Sequence, residues 1–436
     1  MERLRRAAGH ALDRVSRLAG TDARYALRGL SWLTVAQVVT SLASLGLSVA
    51  FARLYPAEAY GTYKYILSLA GMISAASLTG LPSALAAAAA RGRDGALAQA
   101  TRLSFLYSSV AGLVMLAAGC YYLANDNGTL GWALAILGVL QPASDAAAVA
   151  FAYITGKRLF RMRTVATVFQ TAAYAGAVLA ALLTSDDPAV AVAAGGLGGL
   201  LGYAGVWAFA RARTVENQIE DPQLHGYSRH LSLMNVLGVV SSQVDKVLLF
   251  HYLGAAQVAL YSFAQAPVSQ ARQISKMLGN VALPKATAAS LESQRERAPR
   301  RALAALLVGV ALYAAYWVAV PWLYELLFPA YTGAVGFSRW YALTLLALPV
   351  IIYKQPLLGH QKTKALYAVQ TVQPIFKIAL MAAAVPLYGV SGAVGAAVIA
   401  EFANVSLSAA AFGWVTRPRT LAVPPAPIDP TEPPIE

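Results

Sequence analysis

Charged side chains are scarce in this 436-residue sequence: they make up 12% of it, against 58% for apolar residues. Soluble domains carry roughly 25% charged and 45 to 50% apolar residues, so a fold surrounded by water would have nowhere to put the surplus. Cysteine is nearly missing, with Cys120 the single one, which excludes an intramolecular disulfide. The five histidines, His10, His225, His230, His251 and His360, are scattered without the spacing of a zinc site. No cofactor or metal is expected. Acids are few as well, 20 against 34 Lys and Arg, for a net charge of +14. The basic residues lie in short connections rather than on one surface or tail, so nucleic acid is not the expected partner.

What fills the chain is apolar runs of about twenty residues, the length a helix needs to cross roughly 30 Å of hydrocarbon. Mean hydropathy is +0.54. The expected fold is an all-α polytopic membrane protein, with candidate spans at Ser31 to Ala52, Thr62 to Leu85, Leu103 to Ala124, Leu130 to Ile154, Thr164 to Thr184 and Ala189 to Ala210. A second set runs His230 to Leu253, Gln257 to Leu283, Ala302 to Phe328, Ser338 to Gly359, Ala365 to Pro386 and Gly392 to Val415. That makes about twelve transmembrane helices in two pseudo-symmetric six-helix bundles around a central cavity.

The basic residues test the count, because Lys and Arg gather in short cytoplasmic loops. Seven arginines precede the first span, and alternate connections hold, for example, Lys157, Arg158, Arg161 and Arg163, or Lys354, Lys362 and Lys364. In all, 27 of the 34 basic residues fall on one side, which places both termini in the cytoplasm. No cleavable signal peptide is expected, since Met1 to Arg28 lacks an apolar core.

Five segments follow: a basic arm or interfacial helix at 1–30, an N-terminal lobe at 31–210, a cytoplasmic linker at 211–229, a C-terminal lobe at 230–415, and a disordered proline-rich tail at 416–436. Leu54 to Tyr63 can be laid over Tyr252 to Tyr261 as a weak internal repeat, each stretch following the first span of its half. No loop is long enough for a soluble domain, and no nucleotide-binding glycine motif is present. A membrane glycosyltransferase or polymerase is therefore disfavoured, and no enzymatic activity is expected.

Function should lie where polar groups interrupt the spans, because each mid-membrane charge costs about 2.5 to 3.5 kcal/mol on insertion scales. The eighth span carries Gln265, Ser269, Arg272, Lys276 and Asn280 at helical spacing on one face. The first carries Gln37 and serines 41, 44 and 48 running toward Arg53, the second Lys64 and Ser68, and the seventh Asn235, Ser242 and Lys246. Asp245 lies beside Lys246 but about 100° around the helix, so the two are expected to point apart. Lys377 follows Gln370 and Gln373 in the eleventh span. Asp145, Asp245 and Glu401 are the acids within spans, suited either to ion coupling or to neutralising a nearby cation.

Arg53, Lys64, Lys246, Arg272, Lys276 and Lys377 outnumber those acids by three. A cavity shared by all nine would attract a polyvalent anion, phosphate or pyrophosphate first, because Arg offers a planar fork and Lys a point charge. Arg272 pairing with an acid on another helix, and close helix packing by the serine stripes, are the alternative readings.

Phe51-Ala52-Arg53-Leu54-Tyr55-Pro56-Ala57-Glu58-Ala59-Tyr60-Gly61-Thr62-Tyr63, with Gly80-Leu81-Pro82, resembles the start of polysaccharide or O-antigen flippases of the multidrug/oligosaccharidyl-lipid/polysaccharide exporter superfamily. Asp245 to Tyr261, Leu283-Pro284, Phe328 to Tyr331 and Leu387 to Ala393 continue the resemblance, which covers about Ala26 to Trp414. It implies alternating-access movement of an undecaprenyl-pyrophosphate-linked oligosaccharide from inner to outer leaflet of a bacterial or archaeal inner membrane. The first, second, seventh and eighth spans would line the cavity. It further implies a monomer among membrane lipids, with a glycan polymerase and chain-length regulator as partners. A multidrug or small-solute exporter of the same superfamily is the rival reading, and it calls for an acidic cavity.

Overall fold

The computed structural model describes residues 23–288, 290–360 and 362–417, with the backbone alone at 23–31, 33 and 274–288. Most of the expected basic arm and of the proline-rich tail lies outside the described residues. Among those described, every regular element is a helix. The first half comprises α1 (Ala23–Leu54), α2 (Ala57–Ile73), α3 (Leu81–Ala90), α4 (Ala96–Ala124), α5 (Gly128–Ala148), α6 (Ala150–Gly156), α7 (Phe160–Thr184) and α8 (Pro188–Thr214). The second comprises α9 (Leu224–Leu253), α10 (Ala255–Ala288), α11 (Leu291–Leu327), α12 (Val335–Tyr341), α13 (Val350–Gly359) and α14 (Thr363–Val415).

Among the described residues, eight helices are long and apolar enough to cross a membrane, and two bent pairs raise the number to 10. To these α10 adds a 34-residue helix whose apolar run is interrupted by Arg272, Lys276 and Lys285. At 53 residues α14 would be about 80 Å long, more than twice the hydrocarbon thickness. It folds back at Gly389, whose φ of 59° is open to glycine and strained for other residues. Met381 and Val385 before this turn pack with Val390, Ala393 and Val394 after it, so the legs are two antiparallel helices. The architecture is compatible with twelve spans. Large apolar side chains such as Leu42, Leu113, Leu201 and Trp322 lie exposed along the helices, an arrangement suited to lipid rather than water.

The second span departs from the straight helix expected. Its halves α2 and α3 meet at 60°, because Pro82 lacks an N–H and its ring blocks a continuous helix through residue 78. Backbone groups freed inside a membrane must find partners. Here the Gly80 N–H donates to Ser232 Oγ on α9 at 2.9 Å, and Ser77 Oγ donates to the Ser74 carbonyl at 2.7 Å. The tenth span is bent as well, by 45° between 329–347 and 350–359.

The connections sort to two ends of the molecule. At the hairpin end Tyr55 Oη donates to the Asp187 carbonyl, Arg53 reaches the Leu326 carbonyl and Leu253 lies against Gly389; the linker end brings 91–94, 157 and 216–221 together. At the linker end two acids clamp the linker to the first half. Asp221, 1% exposed, takes hydrogen bonds from Arg91 and Arg93, and its backbone carbonyl and N–H bond the Gln99 side chain at 3.2 and 3.1 Å. Asp94 accepts from Lys157 Nζ and from the Glu216 N–H, both at 2.9 Å.

Burial alone would raise both carboxyls, but the hydrogen bonds and the facing cations win and hold them below the usual Asp range. A depressed folded value means stability that is complete above the ordinary carboxyl value near 4 and lost as pH falls through the lower folded value. Thermal unfolding from about pH 5 to pH 3 should therefore fall more steeply in the native chain than in Asp221→Asn. Equal slopes would remove the clamp from the stability account.

Candidate functional site

The second half assembles its polar residues from four helices. Asp245 on α9, 3% exposed, accepts from Tyr261 Oη at 3.0 Å and from Gln265 Nε2 at 3.3 Å, both on α10. Lys246 Nζ also reaches Asp245 Oδ1, at 3.4 Å. This corrects the expectation that the two neighbours point apart: their Cβ atoms diverge, but the four-carbon lysine stem curls back. About two helical turns along α10 from Gln265, Arg272 Nη2 donates to Glu401 Oε1 of α14 at 2.6 Å, with the Tyr341 phenol nearby. Lys377 of α14 sits in the fields of Asp245, Lys246, Glu401 and Arg272, and Lys354 of α13 in that of Glu401.

Two ion pairs, Lys246–Asp245 and Arg272–Glu401, thus lie in the electrostatic neighbourhood of two further cations, Lys354 and Lys377. The Lys246 and Arg272 side chains are 17% and 32% exposed, so the cluster is neither dry nor fully open. Both acids are engaged and two lysines have no ion pair among the described residues. The chemistry left over is cationic.

In the first half Lys64 of α2 lies 5.2 Å from the Tyr60 ring centre and 5.9 Å from that of Tyr63, and no carboxylate among the described residues pairs with it. Tyr63 and Tyr174 share a 2.9 Å hydrogen bond. Lys64 faces a cavity of about 240 Å³ together with Ser44, Ser48, Gln170 and Tyr174. Asp145 lines a neighbouring cavity of about 410 Å³ and, among the described residues, accepts from neutral groups, Ser108 Oγ and Gln141 Nε2, each at 2.8 Å. Its surroundings differ from those of Asp245 and Glu401, which face cations.

Other expected residues stand apart from these clusters. Arg53 donates to the Leu326 carbonyl at 2.7 Å, at the hairpin end. There Tyr60 stacks on Phe263 at 4.5 Å, Phe263 meets Tyr331 at 4.0 Å, and Tyr65 stacks on Phe250 at 3.8 Å, a seal of rings between the two halves. Gln37 bonds Ser41, Ser68 is buried, Asn235 is exposed, and Ser269 returns its hydroxyl to the Ala266 carbonyl. Lys276 lies outside the residues whose side chains are described. Sequence reasoning gives no site role to Tyr341, to Tyr261, which enters only in the repeat, or to Lys354 and Arg163, which enter as loop cations; the spacing of four, three and four in Arg163, Thr167, Gln170 and Tyr174 is the signal that marks the α7 face.

Several solved structures share this fold. The lipid II flippase MurJ in an inward closed conformation aligns with a TM-score of 0.64 at 12% identity, covering 86% of each chain. An outward-facing multidrug resistance MATE transporter of the MOP superfamily aligns at 0.62 and 13% identity, covering 89% of this chain and 95% of that one. A MOP superfamily transporter from Pyrococcus furiosus, described by a reversed polarity of its binding pocket, aligns at 0.55 and 14%, covering 88% and 92%. No curated protein matches the chain by sequence. The family profile described as "Polysaccharide biosynthesis protein" matches residues 26–290, more than half of the chain, and the protein belongs to that family, with the fold of the MOP superfamily transporters.

Proposed function

We propose that this multi-pass membrane protein is a flippase that carries an undecaprenyl-pyrophosphate-linked oligosaccharide from the inner to the outer leaflet of a bacterial or archaeal cytoplasmic membrane. The observation that carries the reading is the surplus of Lys246, Arg272, Lys354 and Lys377 over Asp245 and Glu401. A diphosphate supplies the missing negative charge, and the Arg272 fork can bind one oxygen while it holds Glu401. The polyprenyl chain would stay in lipid while the glycan occupies an aqueous cavity. The linker end, richer in Lys and Arg, faces the cytoplasm in this reading.

Reconstitution with a fluorescent lipid-linked oligosaccharide tests it: the headgroup should become accessible on the opposite leaflet only with the protein present. Efflux of cationic drugs without headgroup exposure would instead support the multidrug reading. Asp145, held by neutral donors, is the acid free to take up an ion. Asp145→Asn should make transport insensitive to imposed proton or sodium gradients, while Asp245→Asn and Glu401→Gln lower it under every gradient. An unaltered gradient response in Asp145→Asn would remove that residue from coupling.

A further inference from the structure

We propose that the first half carries a separate subsite for an acidic sugar, with Arg163 as its anion-binding group. The inference rests on the flippase reading, because it divides one substrate between two places. Arg163 lies at the start of α7 with its guanidinium carbon 4.2 Å from the centre of the Phe151 ring, and it lines a cavity of about 520 Å³. Nη1 donates to Thr167 Oγ1 at 3.2 Å, and among the described residues no carboxylate pairs with it. A guanidinium has five donors. Half-buried, stacked on one face and with one N–H on Thr167, this one has further donors and no carboxylate partner where it lines the cavity, which suits a carboxylate fork.

The rest of the wall has different chemistry. Arg163, Thr167, Gln170, Thr171 and Tyr174 recur on one face of α7 over about 16 Å. Gln170 lines the Arg163 cavity and also the two of about 240 and 410 Å³, so the three spaces share one wall. Such volumes fall in or near the range of small-molecule pockets, roughly 300 to 1,000 Å³. Amide, hydroxyl and phenol groups give neutral hydrogen bonds and flat apolar faces, which match the hydroxyl edges and C–H faces of sugar rings. The diphosphate-binding cations lie on α9, α10, α13 and α14 of the other half. The glycan therefore belongs to the first half, and Arg163 selects glycans whose sugar carries a carboxylate.

Binding of three soluble probes to the full chain in detergent tests this: a uronic-acid tetrasaccharide, a neutral glucose tetrasaccharide, and farnesyl pyrophosphate. The native chain should prefer the acidic tetrasaccharide by about 10- to 100-fold, the range for a charge-assisted pair. Arg163→Gln should abolish that preference and leave farnesyl pyrophosphate unchanged. Gln170→Ala should weaken both tetrasaccharides and spare farnesyl pyrophosphate, and Arg163→Lys, which keeps the charge and loses the fork, should retain part of the preference; these two carry the test if Arg163→Gln does not fold. Equal binding of the two sugars by the native chain, or a preference that survives Arg163→Gln, overturns the proposal. So does an equal loss of farnesyl pyrophosphate in that variant, which would move the diphosphate onto Arg163. Acidic-sugar preference without any farnesyl pyrophosphate binding would instead sink the flippase reading and leave the subsite standing.

Discussion

Transport by Arg272→Ala is expected to fall by at least about 100-fold, with the protein still inserted and folded as a helical bundle. The change deletes one positive charge and the planar fork that suits a phosphate, without stranding a buried acid. Here Glu401 would be left facing Lys354 and Lys377, a net charge lowered just where the diphosphate should sit. A structural role for the pair predicts the same loss, so the double variant Arg272→Glu with Glu401→Arg separates them. It restores opposite charges across α10 and α14 but moves the guanidinium off the α10 face. Folded, inactive protein supports direct anion binding by Arg272; recovered headgroup exposure would reduce Arg272 to a strut.

The second large effect concerns closure of the hairpin end. A Cβ built on Gly61 of α2 would collide with the Ala255 carbonyl at the start of α10, a backbone group that cannot swing aside. Overpacking usually costs about 1 to 3 kcal/mol where side chains can relax, and here the relief must come from separating the two halves. Gly61→Val should hold the ring seal of Tyr60, Phe263 and Tyr331 open and cut transport at least tenfold. Val258, fully buried on α10, supplies the reporter once replaced by cysteine in a Cys120→Ser background. Its modification by a soluble thiol reagent should accelerate at least tenfold in the Gly61→Val chain. An unchanged rate would show that the halves absorb the methyl groups without opening.

Much of the fold was legible because the bilayer imposes a length and a charge rule on every span. Helices of the structure overlap all the expected spans, and the basic connections mark their order. The bends were harder to see: Pro82 limits the helix locally, but whether the chain resumes at 60° depends on Ser232, which lies 150 residues later and receives the freed Gly80 N–H. The charged cluster was half legible. Arg272 and Glu401 each stand out in an apolar run, but no local spacing joins residues 129 apart. Arg163 was read as one of several loop cations because it sits at a span boundary, where the charge rule already accounts for it. Lys246 shows the limit of helical-wheel directions, which fix a Cβ and not the end of a long flexible side chain.

The linker clamp sets the scale of any motion between the halves. With Asp221 tied to Arg91 and Arg93, the chain leaves the first half at residues 222–223, directly before α9. That 30-residue helix is about 45 Å long. In an alternating-access cycle it would act as a lever with its fulcrum at the linker end, where Ser232 also touches the break in the second span. A tilt of only about 10° about that point would carry its far tip roughly 8 Å, given a lever of that length. Phe250 near that tip, stacked at 3.8 Å on Tyr65 of the first half, would then lose contact completely, although no helix need bend or unwind.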